Sequence, residues 1–321
     1  MVRKSMTSAR QSAKVRKVRI DANTAGQRID NFLLRELKGV PRSAVYKLLR
    51  RGEVRINGGR ARPTRKLAEG DEVRIPPVRM AAPGEAPKVS VGISERLQDA
   101  VLFEDKDLLV IDKPTGLAVH GGSGQSLGLI EALRHLHERG RDLELAHRLD
   151  QATSGCLIVT KRRAALRSMH ALLREGGIRK TYLALVAGRW PTRTRRVEAP
   201  LKKSVSSSGE RFVRVRDDGK TARTDFRVLT ASNKATLVEV RLHTGRTHQI
   251  RVHAAHMGHP LAGDEKYGDE VFNQVCREHG LTRLFLHAYE LAWAERTCRA
   301  PLPVELQSVL NSLKLALREP I

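Results

Sequence analysis

The sequence predicts an α+β protein of two domains, a small basic one and a larger one whose mixed, largely antiparallel sheet is flanked by helices and loops. Three observations lead there. A length of 321 residues with 40% hydrophobic content fits a soluble chain of about two domains. The stretch 77–97 is Pro- and Ala-rich (Pro77, Pro83, Pro87) with little periodicity, which reads as a linker. Beyond it, strand-like runs at 212–216, 222–229 and 236–243 follow in close order among helical patterns. Adjacent strands mixed with helices indicate α+β rather than a doubly wound sheet.

Residues 1–17 are basic, Ser-bearing and almost without large apolar side chains, so they read as a disordered arm. Lys17 to Ile20 begins a short strand. From Gln27 a helical pattern places Ile29, Phe32, Leu33 and Leu37 on one face and ends at Gly39. Pro41 and Ser43 open a second helix, with Val45, Leu48 and Leu49 inward and Gly52 as its stop. Strand-like pieces at 54–56 and 72–75 complete a small domain over 18–76. In the larger domain, 98–321, Leu108–Ile111 reads as a buried strand and Ser126–Leu136 as a helix. A strand at 156–160, a helix over 162–175 stopped by Gly176-Gly177, and a strand at 182–186 follow. Asp218-Gly219 has the chemistry of a hairpin turn.

The net charge of +24 and a pI near 10.7 point to a polyanionic partner, because such an excess costs self-repulsion. Residues 1–80 hold 21 basic against 7 acidic side chains, so +14 of the charge sits in the first quarter. Cys156, Cys276 and Cys298 are widely spaced and lack a CxxC, which fits a reducing, cytoplasmic setting without a disulfide framework. No apolar run is long enough for a membrane span, so no membrane partner is expected. There is no GxGxxG after a strand, no GxxxxGK[ST] and no HExxH, so no dinucleotide, nucleoside triphosphate or zinc chemistry is indicated and no cofactor is expected. The glycine-rich 121–124 lacks a following Lys. His248, His253, His256 and His259 are loosely spaced, with no carboxylate or Cys to complete a metal set.

The most informative stretch is HRLDQATSG, His147 to Gly155, running into the apolar Cys156-Leu157-Ile158-Val159. Asp150 follows His147 and Arg148 closely, and Thr153-Ser154-Gly155 forms a polar turn into the strand. Neighbouring cations and hydrogen-bond donors favour an ionised carboxylate, which can serve as a covalent nucleophile. Such an acid needs a counter-charge. The run GRTHQIRVH, 245–253, supplies Arg251, whose planar fork cannot lose its proton, with Arg246 as the alternative. In KTYLALV, 180–186, Tyr182 alternates with core positions, so its ring can face a ligand; aromatics are only 4% of the chain, leaving few stacking platforms.

These three runs resemble the signatures of the RluA family of RNA pseudouridine synthases. FEDKDLLVIDKPTGLAVHGG (103–122), HPLAGDEKYG (259–268) and LFLHA (284–288) resemble further blocks of its catalytic domain. RIDNFLLREL (28–37), VPRSAVYKLLRRGEVRING (40–58) and KLAEGDEVRI (66–75) resemble an S4 RNA-binding domain. The resemblance implies that Asp150 is the nucleophile, that Tyr182 stacks on the target base and shares in proton transfer, and that Leu286 packs beneath that base. Arg148 is implied to fill the gap left by a flipped uridine, extrusion being required to reach C1′ and C5. His287 is expected to be structural. Arg42, Lys47, Arg50, Arg51 and Arg55 of the S4-like domain, with Arg246 and His248, are the expected RNA contacts, and the basic segment 202–224 reads as a hairpin gripping RNA backbone. The implied partner is 23S ribosomal RNA or a large-subunit assembly intermediate, and a monomer is expected. Two alternatives stand beside this: the same chemistry on another RNA target, such as a different large-subunit site or a tRNA loop, and a non-catalytic ribosome-assembly factor that binds through the S4-like domain.

Overall fold

In a computed structural model, residues 15–22, 24–37, 40–78, 91–121, 127–137, 140–191, 194–205 and 209–315 are described. Residues 1–14 of the expected arm (1–17), residues 79–90 of the expected linker (77–97) and residues 122–126 of the glycine-rich loop lie outside them, while Arg16 and Lys17 at the arm's end belong to a strand, Arg16–Arg19. The chain divides into two compact units between residues 88 and 89.

The first unit contains β1 (Arg16–Arg19), α1 (Ile29–Glu36), α2 (Arg42–Arg51), β2 (Arg55–Ile56), β3 (Gly59–Arg60) and β4 (Glu72–Ile75). Its strands form an antiparallel sheet in the order β1-β4-β2-β3. The helices arise where apolar spacing predicts them: Ile29, Phe32, Leu33, Val45 and Leu49 all reach one core with Ile56, Val73 and Ile75. Gly52 ends α2 at φ 69°, a left-handed position that costs glycine little. Lys47, Arg50 and Arg51 recur at helical spacing on the exposed side of α2.

The second unit contains α3 (Val91–Asp99), β5 (Val101–Glu104), β6 (Leu108–Lys113), α4 (Leu129–Leu136), β7 (Glu144–Leu145), β8 (Ser154–Thr160), α5 (Arg163–Glu175) and β9 (Ile178–Ala187). It continues with β10 (Thr194–Glu198), β11 (Leu201–Val205), β12 (Arg211–Val215), β13 (Arg223–Ala231) and β14 (Ala235–Leu242). Then come α6 (Gln249–His256), α7 (Glu270–Glu278), β15 (Leu286–Trp293), β16 (Arg296–Arg299) and α8 (Val304–Ser312). Ten strands make one sheet, with main order β10-β13-β14-β9-β15-β8-β6-β5, β16 beside β15 and β7 beside β8. Every pairing is antiparallel except β8 with β15, where His287 meets Ser154 and Ala288 meets Gly155. The sheet is buried on both faces: one side packs Ile111, Leu157, Ala184, Val238 and Leu286, and another core gathers Leu185, Leu237, Phe285 and Leu306 around α7 and α8.

Two expectations need correction. The stretch 77–97 is not linker throughout, because Val91–Asp99 is helical. Ile93 and Leu97, one turn apart, give that helix an apolar edge against the core of the second unit. The turn at Asp218-Gly219 forms, with Gly219 N–H bonded to the Arg216 carbonyl, yet β12 and β13 do not pair across it. Instead β12 pairs with β11 in a separate ribbon, and β13 forms its hairpin with β14. The basic pair of strands is therefore β11 with β12, Lys202 lying opposite Arg214.

Candidate active site

Asp150 sits in the loop between β7 and β8, and local chemistry fixes that loop. Leu149 is buried, the Thr153 N–H closes a turn onto the Asp150 carbonyl, and His147 Nε2 accepts the Ile158 N–H at 3.1 Å. Burial, with the Lys180 charge adding to it, pushes His147 down to about 4, so the ring stays neutral and serves as an acceptor. From the other side, residues 113–117 clamp the loop. Gln151 carbonyl accepts from Gly116 N–H, Ala152 carbonyl accepts from the Thr115 hydroxyl, and Gln151 Nε2 donates to the Gly116 carbonyl. Lys113 is fully buried and donates to the carbonyls of Pro114 (2.8 Å), Leu117 (2.8 Å) and Gln151 (3.1 Å), one for each N–H of an ammonium. Burial and the Arg283 charge push this amine down to about 7, against Asp150 and Asp112, which pull it up. Gly155 has φ 108°, and a Cβ there would meet the Ala288 carbonyl oxygen at 2.3 Å. Only glycine lets β8 lie this close to β15 behind the Asp150 loop.

Arg251 projects from the first turn of α6. That helix starts at His248, held left-handed at φ 54°, and Gln249 secures the preceding loop. Its Oε1 accepts from Arg246 N–H and the Thr244 hydroxyl, and its Nε2 donates to the Arg223 carbonyl and Thr224 Oγ1. Arg251 Nη1 lies 3.9 Å from Asp150 Oδ2, and His248 Nε2 is also 3.9 Å from that oxygen. The tighter partner of Arg251 is Asp264: Nε and Nη2 reach its two oxygens at 2.7 Å each. Asp264 is fully buried and also accepts the N–H groups of Lys266 and Tyr267. Burial raises its carboxyl, but the Arg251 bonds and charge with those two N–H groups outweigh burial and hold it below the ordinary value. Arg246, the alternative counter-charge, donates its Nε to the Thr221 carbonyl at 3.1 Å, and no ion pair joins it to Asp150 among the described residues.

Tyr267 ties these groups together. Its ring lies 5.0 Å from the Arg251 guanidinium carbon, and its hydroxyl accepts the Val213 N–H at 2.9 Å. The same hydroxyl is 2.8 Å from His248 Nδ1. That contact joins the phenol to the ring, with the donor between them set by the His248 tautomer, and it leaves Nε2 on the Asp150 side.

Asp150, Tyr182, Arg251 and Leu286 line one cavity of about 400 Å³, together with Arg148, Arg246 and His248. That volume is within the range of small-molecule sites. Tyr182, from β9, is buried, and no hydrogen bond to its hydroxyl is present among the described residues. Burial, then the facing Asp150 carboxylate, push its phenol well above the ordinary value, so it is neutral. Leu286 is buried in β15. Arg148 is exposed at the rim. His287 has the structural placement expected, Nδ1 against the Ser154 hydroxyl and Nε2 against the Ala300 carbonyl. His253 and His259 are likewise held by Thr224 and by backbone carbonyls, not gathered around a point. The S4-like cations lie in the first unit, where Arg55 donates to the Gly58 carbonyl, Arg51 is 3.8 Å from Glu53, and Arg42 is the first residue of α2.

Sequence reasoning missed Asp264, Tyr267 and Gln249 as organisers, and the cations Arg174 and Lys180, with His170, as cavity-lining residues. The spacing signal was present for Lys180, two residues before Tyr182 on one strand face.

Comparison with known proteins places the chain within a family. The family model described as RNA pseudouridylate synthase matches residues 107–256, and the S4 domain model matches residues 27–73. Ribosomal large subunit pseudouridine synthase C of Pasteurella multocida (strain Pm70) is 50% identical over 308 residues, 94% of each chain. The protein of that name from Escherichia coli (strain K12) is 50% identical over 312 residues, 94% of this chain and 98% of the relative. Among solved structures, human RNA Pseudouridylate Synthase Domain Containing 4 superimposes with a TM-score of 0.60 at 26% identity, over 72% of this chain and 98% of that one.

Proposed function

The chain belongs to the RluA-type family of RNA pseudouridylate synthases, and from that premise we propose that it isomerises specific uridines of 23S ribosomal RNA, with Asp150 as the nucleophile. The observation that carries this reading is a single cavity in which the Asp150 carboxylate faces Arg251 Nη1 at 3.9 Å, with Tyr182 and Leu286 in the same lining.

A uridine swung out of its helix places its base between Tyr182 and Leu286, and Arg148 at the rim occupies the space it leaves in the stack. Asp150 attacks and bonds to the nucleotide, the N-glycosidic bond breaks, and the released uracil is held while it turns; the bond to Asp150 then breaks as C5 bonds with C1′, returning the free carboxylate. The proton leaving C5 is balanced by the one gained at N1, so the product is an isomer and the reaction consumes no co-substrate. Arg251, held rigid by Asp264, keeps the carboxylate oriented. Basic side chains of the S4 domain and of the β11–β12 pair hold the RNA backbone, giving affinity rather than sequence choice. The substrate is 23S RNA in the cytoplasm, free or in a large-subunit assembly intermediate, and the enzyme acts as a monomer. The relatives' names, which speak of the large ribosomal subunit, support that substrate.

The deciding experiment uses ribosomal RNA labelled with tritium at C5 of uridine. Asp150→Asn should bind that RNA as the wild type does and release no tritium, while sequencing of the converted RNA locates the product. Undiminished release by the variant ends the assignment.

A further inference from the structure

Resting on the reading of this cavity as the uridine site, we propose that Lys180, continued outward by Arg174 and His170, is a subsite for the phosphodiester next to the flipped nucleotide. Lys180 lies in β9 two residues before Tyr182, on the same strand face, and both line the cavity. The offset along the strand is about 6.6 Å. A lysine side chain spans the further reach from a base stacked on Tyr182 to that nucleotide's backbone.

Lys180 is half-buried, and it makes no hydrogen bond or ion pair among the described residues. Its burial disfavours the ammonium and lowers its pKa from the ordinary value. A cation that sheds water on folding and gains no partner is a net cost unless a ligand supplies the counter-charge. Among the described residues the cavity lining holds a single carboxylate, Asp150, and that acid already faces Arg251 and His248. His147, the nearby ring weighed on by the Lys180 charge, is held neutral.

The neighbouring helix extends this cationic wall. His170 and Arg174, four residues apart on α5, present one exposed face to the cavity with Leu173 between them. Neither makes a hydrogen bond or ion pair among the described residues. Cations at graded depth, from half-buried Lys180 to exposed Arg174, match a polyanion entering from the rim. A neutral base or ribose gives no reason for two cations, Lys180 and Arg174, on one wall.

The test uses a short hairpin from large-subunit RNA that the wild-type protein converts. Copies of it carry a single uncharged methylphosphonate at each phosphate around the target. Binding is measured in the Asp150→Asn background, so turnover does not intervene. Lys180→Met, which keeps the apolar stem, should weaken binding about tenfold or more. It should flatten the log–log salt dependence by about 0.7–0.9, the value of one phosphate contact. One methylphosphonate should weaken the wild-type side chain's complex by a similar factor and cost Lys180→Met nothing further. Lys180→Arg should restore binding to within about threefold and remain sensitive to that same methylphosphonate. If Lys180→Met fails to fold, as melting would show, Lys180→Arg and the unaltered side chain still carry the methylphosphonate scan. No single phosphate whose neutralisation weakens binding overturns the proposal, as does full additivity of Lys180→Met with every methylphosphonate. Tritium release by Asp150→Asn alone would instead overturn the uridine-site reading, leaving the binding results to stand separately.

Discussion

Removing Asp264 should cost more stability than removing both Asp264 and its partner. The pair is bidentate at 2.7 Å, with 11% of the Arg251 side chain and none of the Asp264 side chain exposed. Breaking such a buried pair on one side costs about 3–5 kcal/mol, because the remaining charge is stranded. For a unit of this size each kcal/mol moves the midpoint by roughly 2–4 °C, so Asp264→Ala should melt about 6–20 °C lower. Arg251→Met with Asp264→Ala removes the stranded guanidinium and should recover part of that loss, giving a favourable coupling in a double-mutant cycle. Asp264→Asn keeps the shape but presents an amide donor to a guanidinium, and a shift of Arg251 by 1 Å lowers turnover about 100-fold. The pH dependence has a definite sign. Asp264 is held below its ordinary value in the fold, so its contribution is full above about pH 4. It is lost as pH falls through the lower folded-state value, and Asp264→Ala should flatten that acid limb. Differential scanning calorimetry and tritium release test these claims. An Asp264→Ala protein melting within about 2 °C of wild type, or one less stable when Arg251→Met is added, refutes the reasoning.

Three more predictions follow from the same geometry. Tyr182→Phe should bind RNA normally and turn over about 100-fold or more slowly, because the ring remains while the hydroxyl is lost; equal single-turnover rates would deny that hydroxyl a role. Wild type should show no rate limb from this phenol below about pH 10, since burial and Asp150 push it upward. Lys113→Met should take one donor from each of three carbonyls and lower the melting midpoint by more than about 5 °C; an unchanged midpoint would show the clamp to be dispensable. Replacing Lys47, Arg50 and Arg51 together by Gln should weaken all RNAs alike and reduce the salt slope by about 2–3, read by filter binding across a salt series.

Much of this was legible in the sequence, for identifiable reasons. Asp150 and Arg251 each sit in a dense run of polar residues next to apolar ones; the first run forms a loop leading into β8, and the second a loop leading into α6. The α1 and α2 spacing leaves one choice of buried face, and the structure uses it. What escaped notice depends on contacts remote in sequence. Asp264 lies 13 residues beyond Arg251, and nothing local says that its carboxylate, rather than Asp150, takes the guanidinium fork. Tyr267 meets His248 and Val213 only through the fold. The β11–β12 ribbon was misjudged because a turn sequence names a reversal of the chain without naming which strands pair across it. The helix Val91–Asp99 was hidden beside a Pro-rich stretch, since two apolar residues one turn apart give a weak periodic signal.

The parallel contact between β8 and β15 has a further consequence. Asp150 enters from the β8 side of that contact, whereas Tyr182, Leu286 and Arg251 belong to β9, β15 and the helix beyond β14. The contact spans two residue pairs, Ser154 with His287 and Ala288 with Gly155, braced where Arg283 and His287 both hold the Ser154 hydroxyl. It therefore works like the rivet of a pair of pliers, with acid on one jaw and cation on the other. A methyl group at Gly155 would wedge the rivet open and part the jaws while each handle keeps its own ladder, so such a protein should fall silent well before it melts.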